Sequence, residues 1–317
     1  MIINRKLVLP VIALTVAVIF PLVVSDYFAF KLSLVLIYAI ALLGLNILTG
    51  FNGQISLGHG AFYAIGAYTA AILMDKFDAP FWITLPAAAI VCLVVGFLFG
   101  LPALRLEGHY LALATFALAL AVPQMLKHKL VEEWTGGVQG IVVLKPESPW
   151  EDVLTQDQFL YYVTLLVLVI AFVLAWNILR GRTGRALVAI RNHAMAADTM
   201  GINTAFYKST AFGISAMYTG VAGALANLAI GFVAPDSFTV LLSITLLVGI
   251  VVGGLGTIAG AIPGALFVVF ANDLASALTK AATWAVYGGI LILFMFLVPY
   301  GVWGAVLRLW RRYVARA

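Results

Sequence analysis

The sequence predicts an all-α integral membrane protein, a polytopic bundle of about ten transmembrane helices with one short amphipathic helix outside the bilayer. Two observations predict this class. Of the 317 residues, 64% are hydrophobic and only 10% are charged, and the mean hydropathy is +1.09. A soluble domain of this length could not bury so much apolar surface, whereas a bilayer is itself an apolar solvent. The apolar residues also fall into separate runs, each near the ~20 residues that span a membrane.

The apolar runs define ten candidate spans within one transmembrane domain over 1–317. They cover roughly 7–25, 32–50, 55–74, 81–104, 108–125, 159–179, 209–232, 240–260, 263–279 and 284–305. The third is rich in glycine and the ninth is short. The first could instead be a signal peptide, but it holds about nineteen apolar residues and a signal core holds about 7–15.

The basic residues set the expected orientation. With the N-terminus inside and ten crossings, every arginine lies inside, where the net charge is +10, while the outside carries −5. An excess of Lys and Arg marks the cytoplasmic side of a membrane protein. We therefore expect both termini and the long loop 180–208 in the cytoplasm, and the long loop 126–158 on the external side.

One stretch, GRALVAIRNHAMAADTMGIN (184–203), differs from the apolar runs because it has the pattern of a water-facing amphipathic helix. Helical spacing places five small or apolar residues on one face: Leu187, Ile190, Ala194, Ala197 and Gly201. Gly201 is typical of a helix end. Two interpretations follow. The stretch is either a linker helix that rests on the ends of the bundle or a docking surface for a partner.

Four separated motifs resemble those of one family. They are GRALVAIRNHAMAADTMGINTAFYKSTAFGISAMYTGVAGAL (184–225), LNILTGFNGQISLGHGAFYAIGAYTAA (45–71), WTGGVQGI (134–141) and GGLGTIAGAIPGALF (253–267). Together they resemble the permeases of bacterial branched-chain amino acid ABC importers, of the M type (the LivM family). The resemblance covers most of the chain.

The resemblance implies that 184–203 is a cytoplasmic coupling helix that contacts an ATPase. The residues implied in coupling are Arg185, Leu187, Ile190, Arg191, Ala194, Ala197, Asp198 and Gly201. The resemblance also implies a second related permease, two cytoplasmic ABC ATPases and an external substrate-binding protein. ATP and Mg²⁺ would bind to the ATPases. This chain has no GxxxxGK[ST] loop and none of its lysines follows a glycine, so we expect it to bind no cofactor and to catalyse no reaction.

Glycines and polar residues interrupt the apolar run 46–68, which favours a translocation path. The polar members are Asn46, Gln54, Ser56, His59, Tyr63 and Tyr68. Helices around a cavity tolerate such residues, whereas lipid-facing helices seldom do. Asp273 joins this set because an ionisable residue at membrane depth is a functional candidate. The alternatives are close helix packing through glycine and, for Asp273, a place near the outer end. The histidines lack metal-ligand spacing, so no metal site is predicted.

These features predict a permease that moves branched-chain or other hydrophobic amino acids across a bacterial inner membrane by alternating access. One alternative keeps the ABC machinery and changes the cargo to urea, short amides or aromatic acids. Another is a stand-alone ion-coupled secondary transporter, which predicts several buried ionisable residues and a symmetric repeat. The sequence offers one such acid and no clear repeat. In a membrane protein, basic residues mark the cytoplasmic side, so the basic pI does not indicate nucleic-acid binding. Membrane lipid is an expected partner and nucleic acid is not.

Overall fold

The computed structural model describes residues 15–103, 106, 108–149, 154–278, 282–298 and 301–314. These residues form helices joined by turns, with a two-stranded sheet. The helices are α1 Asp26–Asn46, α2 His59–Phe77, α3 Phe81–Ala103, α4 His109–Leu126, α5 Glu132–Thr135, α6 Gln156–Arg180, α7 Arg182–Asn192, α8 Ala194–Thr199, α9 Thr204–Ile230, α10 Val240–Gly253, α11 Ala261–Leu278, α12 Thr283–Leu297 and α13 Gly301–Val314. The strands are β1 Ile141–Val142 and β2 Phe232–Val233. Short 3₁₀ helices cover Phe20–Leu22 and Pro235–Ser237, and a π-helical turn covers Ile47–Phe51.

By length and composition, seven helical segments of the described residues could cross a membrane. They are Asp26–Phe51, Phe81–Pro102, His109–Leu126, Gln156–Arg180, Thr204–Ile230, Pro235–Gly253 and Ala261–Leu278. The prediction of a polytopic helical membrane protein is confirmed, but the described residues do not supply ten such segments.

Three predicted spans account for the difference. The first, 7–25, lies partly outside the described residues, which begin at residue 15. The third corresponds to α2, which has 19 residues but is less apolar than the seven, because small and polar residues lower its hydropathy. The tenth contains only the shorter apolar helix Ala285–Phe294.

The tenth predicted span, 284–305, is in fact two helices, α12 and α13. Gly301, at the start of α13, has φ +70°. A Cβ at this position would lie 2.5 Å from the Cα of Gly254, at the end of α10. The backbones approach so closely that only glycine fits at the start of α13.

The long helix α9 lies at the centre of the bundle and packs mainly against α1, α2 and α3. A Cβ at Gly66 of α2 would lie 2.0 Å from the carbonyl oxygen of Gly220 on α9. A Cβ at Gly220 would in turn lie 2.3 Å from Sγ of Cys92 on α3, which is fully buried. A bilayer supplies no hydrophobic drive between helices, so close backbone contact through small residues holds these three together.

The bundle has two different ends. At one end, residues 181–203 connect α6 to α9, and the turn after α1 and the turn between α10 and α11 lie beside them. We call this the coupling end. The opposite end carries the strand pair β1–β2, in which Ile141 faces Val233.

Candidate functional site

The coupling segment, defined here as residues 182–203, is two helices rather than the single helix that was predicted. α7 ends at Asn192 and α8 begins at Ala194. His193 between them is extended, with φ −161° and ψ 98°, and its Nδ1 accepts a hydrogen bond from the N–H of Ala196 at 3.2 Å. A capping side chain in an extended residue starts a new helix. The face predicted from continuous helical spacing is therefore bent at His193.

The end of α8 agrees with the prediction. Gly201 has φ +83°, the left-handed conformation typical of the residue after a helix. Its N–H donates to the carbonyl of Asp198 at 2.9 Å, and the N–H of Ile202 donates to the carbonyl of Ala197 at 3.0 Å.

The predicted coupling residues divide between two faces. Leu187, Ile190 and Ala197 are buried against the chain itself, with exposures of 0%, 4% and 4%. Ala194 is partly buried, and the others are exposed: Arg185, Arg191, Asp198 and Gly201. The apolar face thus fastens the segment to the bundle, because burying it there removes apolar surface from water. The other face is exposed.

That other face carries large apolar side chains which the sequence analysis did not select. Val188 is 40% exposed, Met195 76% and Met200 83%. Methionine adapts its shape to different contacts and is favoured on binding surfaces. A spacing of five residues between the methionines matches no single helical stripe, which explains why periodicity did not find them.

Arg191 joins the coupling segment to the turn after α1. Its Nη1 donates to the carbonyl oxygen of Gly50, within the π-helical turn Ile47–Phe51. A Cβ at Gly53 would lie 3.0 Å from Cγ of Arg191, so the stem of the arginine lies on bare backbone. A Cβ at Gly256, in the turn between α10 and α11, would lie 3.3 Å from the same Nη1. One side chain therefore contacts both glycine-rich turns.

Asn46 joins those two turns to each other. Its Nδ2 donates to the carbonyl of Thr257 at 2.7 Å, and its Oδ1 accepts from the N–H of Gly256 at 2.9 Å. A Cβ at Gly50 would lie 1.9 Å from that Oδ1. Asn46 was predicted to lie on the translocation path, and the structure gives its amide a bridging position between α1 and the 254–257 turn. We call this cluster the joint; it consists of Arg191, Gly50, Asn46 and Gly256.

His59 lies in a buried polar network between α1, α2 and α9. Its Nε2 is 2.6 Å from Oγ of Ser215 and its Nδ1 is 2.8 Å from Oγ of Ser56. The hydroxyl of Ser215 donates to the carbonyl of Gly44 at 2.7 Å, so its oxygen accepts from His59 and the ring proton lies on Nε2. Nδ1 then accepts from Ser56, whose oxygen accepts the N–H of Gly58 at 3.2 Å. A neutral imidazole satisfies every group of this network.

The remaining predicted path residues do not form one cluster. Gln54 accepts from Nδ2 of Asn52 at 2.6 Å near the coupling end. Further along α2, the Tyr63 ring stacks on Tyr38 with centroids 6.4 Å apart, and the Tyr68 ring meets Phe238 edge to face at 6.1 Å. The Tyr68 hydroxyl is buried and has no hydrogen-bond partner among the described residues.

Asp273 lies apart from these residues and is paired. Nζ of Lys31 on α1 lies 2.6 Å and 2.7 Å from its two carboxylate oxygens. The carboxylate side chain is 41% exposed and the lysine side chain 16%. The pair fastens α11 to α1. The sequence had marked Asp273 but had not paired it with Lys31, which is 242 residues distant.

The external motif predicted at 134–141 forms a compact turn at the opposite end. The hydroxyl of Thr135 donates to the carbonyl of Leu126 at 2.7 Å and its oxygen accepts from the N–H of Gly137 at 3.2 Å. A Cβ at Gly136 would lie 2.1 Å from the carbonyl oxygen of Gly140. Nearby, Nζ of Lys127 lies 2.5 Å from a carboxylate oxygen of Asp236, a contact that the sequence did not suggest.

A helical bundle with several apolar spans and an amphipathic segment at one end defines the class: a multi-pass helical membrane protein. The sequence model described as branched-chain amino acid transport system / permease component matches residues 27–298. The chain belongs to this family.

Three relatives indicate how close the likeness is. The high-affinity branched-chain amino acid transport system permease protein LivM of Escherichia coli K12 is 35% identical over 323 residues, covering 95% of this chain and 75% of that protein. LivH of Salmonella typhimurium is 26% identical over 285 residues, covering 84% of this chain and 91% of LivH. BraD of Pseudomonas aeruginosa is 25% identical over 288 residues, with the same two coverages. The chain therefore resembles both permease types of one transport system.

Proposed function

We propose that this chain is the permease subunit of an ATP-binding-cassette importer that carries branched-chain or other hydrophobic amino acids across the cell inner membrane. In this proposal it pairs with a second related permease, two cytoplasmic ATPases that bind ATP and Mg²⁺, and an external substrate-binding protein. The relatives LivM and LivH, both permease proteins of branched-chain amino acid transport systems, support the cargo and the second permease. The chain itself catalyses no reaction.

The coupling end is the cytoplasmic end in this proposal. Five basic residues lie in the connection between α6 and α9 or at its borders: Arg180, Arg182, Arg185, Arg191 and Lys208. A connection so rich in arginine and lysine remains on the cytoplasmic side of the bilayer. Both termini then lie in the cytoplasm and the 135–140 turn faces the binding protein.

The joint is the observation that carries the mechanism. An ATPase that moves the coupling segment pulls on the Gly50 carbonyl through Arg191. The displacement reaches α1 directly, because the π-helical turn continues that helix. It reaches the turn between α10 and α11 through the two hydrogen bonds of Asn46. Nucleotide-driven motion thus has a path of direct contacts into three membrane helices, as alternating access requires.

The non-helical residues 54–58 support a translocation path beside α2. They precede α2 and contact α4, where the N–H of Leu57 donates to the hydroxyl of Thr115 at 2.9 Å. Irregular backbone at membrane depth occurs where it is buried in protein or borders a water-filled cavity. In this proposal Tyr63 and Tyr68 extend the path along α2.

Uptake tests the cargo. The chain and its partner set are reconstituted in vesicles, and ATP-driven uptake of labelled leucine is compared with that of urea, acetamide and benzoate. We expect leucine uptake that stops without ATP or without binding protein. Uptake driven by an ion gradient in the absence of ATP would instead support the secondary-transporter alternative. ATP-driven uptake of urea, acetamide or benzoate alone would change the cargo and keep the machinery.

Cysteine labelling tests the orientation. Glu147 and Asn192 are exposed residues at opposite ends of the bundle. In a Cys92→Ser background, an impermeant maleimide added to intact cells should label Glu147→Cys and leave Asn192→Cys unlabelled until the membrane is opened. Labelling of Asn192→Cys in intact cells would contradict the proposed contact with a cytoplasmic ATPase.

A further inference from the structure

A cavity of about 290 Å³ lies at the coupling end, between the coupling segment, the turn after α1 and the start of α4. Its wall is formed by these three parts, including Arg191 of the joint, and by Lys208 of α9. The roles proposed above for individual residues do not account for this cavity. Its lining is chemically divided, with aliphatic side chains on one part and polar groups on another.

The aliphatic part consists of Ile55, Leu106, Leu111 and Ile190. Ile190 and Leu111 are buried, with exposures of 4% and 3%. These four side chains come from three different segments and form an apolar wall on one side of the cavity. An apolar wall of this kind favours a hydrocarbon side chain over a polar one.

The polar part is positively charged. Arg191 and Lys208 line the cavity, and among the described lining residues there is no acid to neutralise them. Arg191 uses one donor on the Gly50 carbonyl, and a guanidinium has five N–H donors. The remaining donors, with the ammonium group of Lys208, suit a carboxylate.

Asn52 adds an acceptor. Its side chain is 3% exposed and its Nδ2 donates to Gln54 at 2.6 Å. Its Oδ1 has no hydrogen-bond partner among the described residues. A buried acceptor without a donor is rare and costly, and an ammonium group carries three donors.

We propose that this cavity binds an aliphatic α-amino acid in its zwitterionic form. The carboxylate meets Arg191 and Lys208, the ammonium group meets Asn52, and the side chain lies on the aliphatic wall. The inference rests on the proposed function, in which such an amino acid is the imported cargo and the coupling end faces the cytoplasm. Imported amino acid that accumulates there binds the cavity and favours the arrangement of the joint in which the cavity exists. Accumulated product therefore slows ATP hydrolysis and transport.

The test uses the complete complex in inside-out vesicles. The lumen holds binding protein saturated with L-leucine, ATP is added outside, and ATP hydrolysis is measured while L-leucine is added to the outer solution. We expect hydrolysis to fall as outer L-leucine rises. Lys208→Gln and Asn52→Ala should each raise the half-inhibiting concentration about tenfold, which corresponds to about 1.4 kcal/mol. Arg182→Gln, which removes an exposed charge outside the cavity lining, is the matched control and should behave as the wild type.

Three analogues dissect the ligand. Leucinamide lacks the carboxylate, N-acetyl-L-leucine lacks the ammonium group and glycine lacks the side chain, so each should inhibit more weakly than L-leucine. If luminal binding protein stimulates hydrolysis but outer L-leucine does not change it, the cavity proposal is overturned while the importer function stands. Inhibition of both cavity variants equal to that of the wild type would also overturn it. Failure of loaded binding protein to stimulate hydrolysis would overturn the importer function, and with it the inference.

Discussion

The joint and the His59 network are both polar clusters that tie α1 to other helices, but they are built differently. Around His59 every donor and acceptor is satisfied by another buried group, and His59, Ser56 and Ser215 are fully buried. At the joint, by contrast, the coupling segment is held by one exposed arginine, whose side chain donates to a backbone carbonyl and lies on bare glycine backbone.

The difference indicates a division between rigid and movable parts. A buried and satisfied network resists separation, because breaking it leaves polar groups without partners in a low-dielectric interior. A single part-buried hydrogen bond from a side chain that also reaches water is easier to exchange than a fully buried network. We infer that α1, α2 and α9 move together near His59, whereas the coupling segment moves relative to them at the joint.

The largest expected effect comes from filling the close backbone contact between Gly66 of α2 and Gly220 of α9, within the rigid part. Gly66→Val places a branched side chain where a Cβ would already lie 2.0 Å from the Gly220 carbonyl oxygen. Overpacking costs about 1–3 kcal/mol even where side chains can yield, and a backbone group cannot. We expect loss of the monodisperse peak in size-exclusion chromatography of the detergent-solubilised protein. Gly288→Val is the matched control, since a Cβ there meets nothing within 4 Å. A normal peak for Gly66→Val would show that α2 and α9 separate easily at this contact.

The next effect concerns the His59 network. His59→Phe removes both ring nitrogens and leaves the hydroxyl of Ser56 without its acceptor. An unsatisfied buried group costs about 1–3 kcal/mol, so the melting temperature in detergent should fall clearly. Ser56→Ala in the His59→Phe background should then cost less than Ser56→Ala in the wild type, because the two residues interact directly. Additive losses would mean that the two residues do not depend on each other.

A smaller effect on stability but a large effect on coupling is expected at the joint. Arg191→Ala removes the bond to Gly50 from an exposed position, so the melting temperature should change little. Stimulated ATP hydrolysis and uptake in vesicles should fall together by about tenfold, the equivalent of about 1.4 kcal/mol. Arg182 is an exposed arginine on the same helix and does not lie on the glycine turns, so Arg182→Ala should retain both activities. A large drop in melting temperature with normal coupling would reverse the assignment of rigid and movable parts.

The smallest effect on the chain itself is expected on the exposed face of the coupling segment. Met200 is 83% exposed, so Met200→Asp should change the unfolding free energy of the isolated chain by no more than about 0.5 kcal/mol. Its association with the ATPase subunits, measured by co-purification, should nevertheless weaken. Leu130→Asp, at an 86% exposed residue of the opposite end, is the control and should leave association intact. Equal association of Met200→Asp and the wild type would remove this face from the proposed contact.

Much of the fold could be predicted because a membrane helix is determined largely by the composition of its own segment. The boundaries of α6 and α9 lie within a few residues of the predicted spans 159–179 and 209–232. Gly201 was predicted as a helix end and has the positive φ of one. The break at His193 was not predicted, since one extended residue does not alter the average periodicity of the residues around it.

The candidate site was predicted less well, because its residues act through distant partners. Asn46 was selected as a polar interruption of an apolar run, but its partner Thr257 is 211 residues away. Arg191 was selected for its place in a motif, and its partner Gly50 is 141 residues away. The exposed methionines were missed because exposure depends on which side of the segment meets the bundle.

The sequence by itself determined that the chain enters a bilayer, where its apolar runs lie and which segment remains outside them. Composition and periodicity decide these points, since the free energy of transferring a helix into lipid depends on its own residues. Only the tertiary structure decided that the apolar face of the coupling segment turns toward the bundle and that Arg191 meets Gly50. Those outcomes depend on how α1, α9 and α10 pack, and packing is set by shape complementarity between segments far apart in the chain.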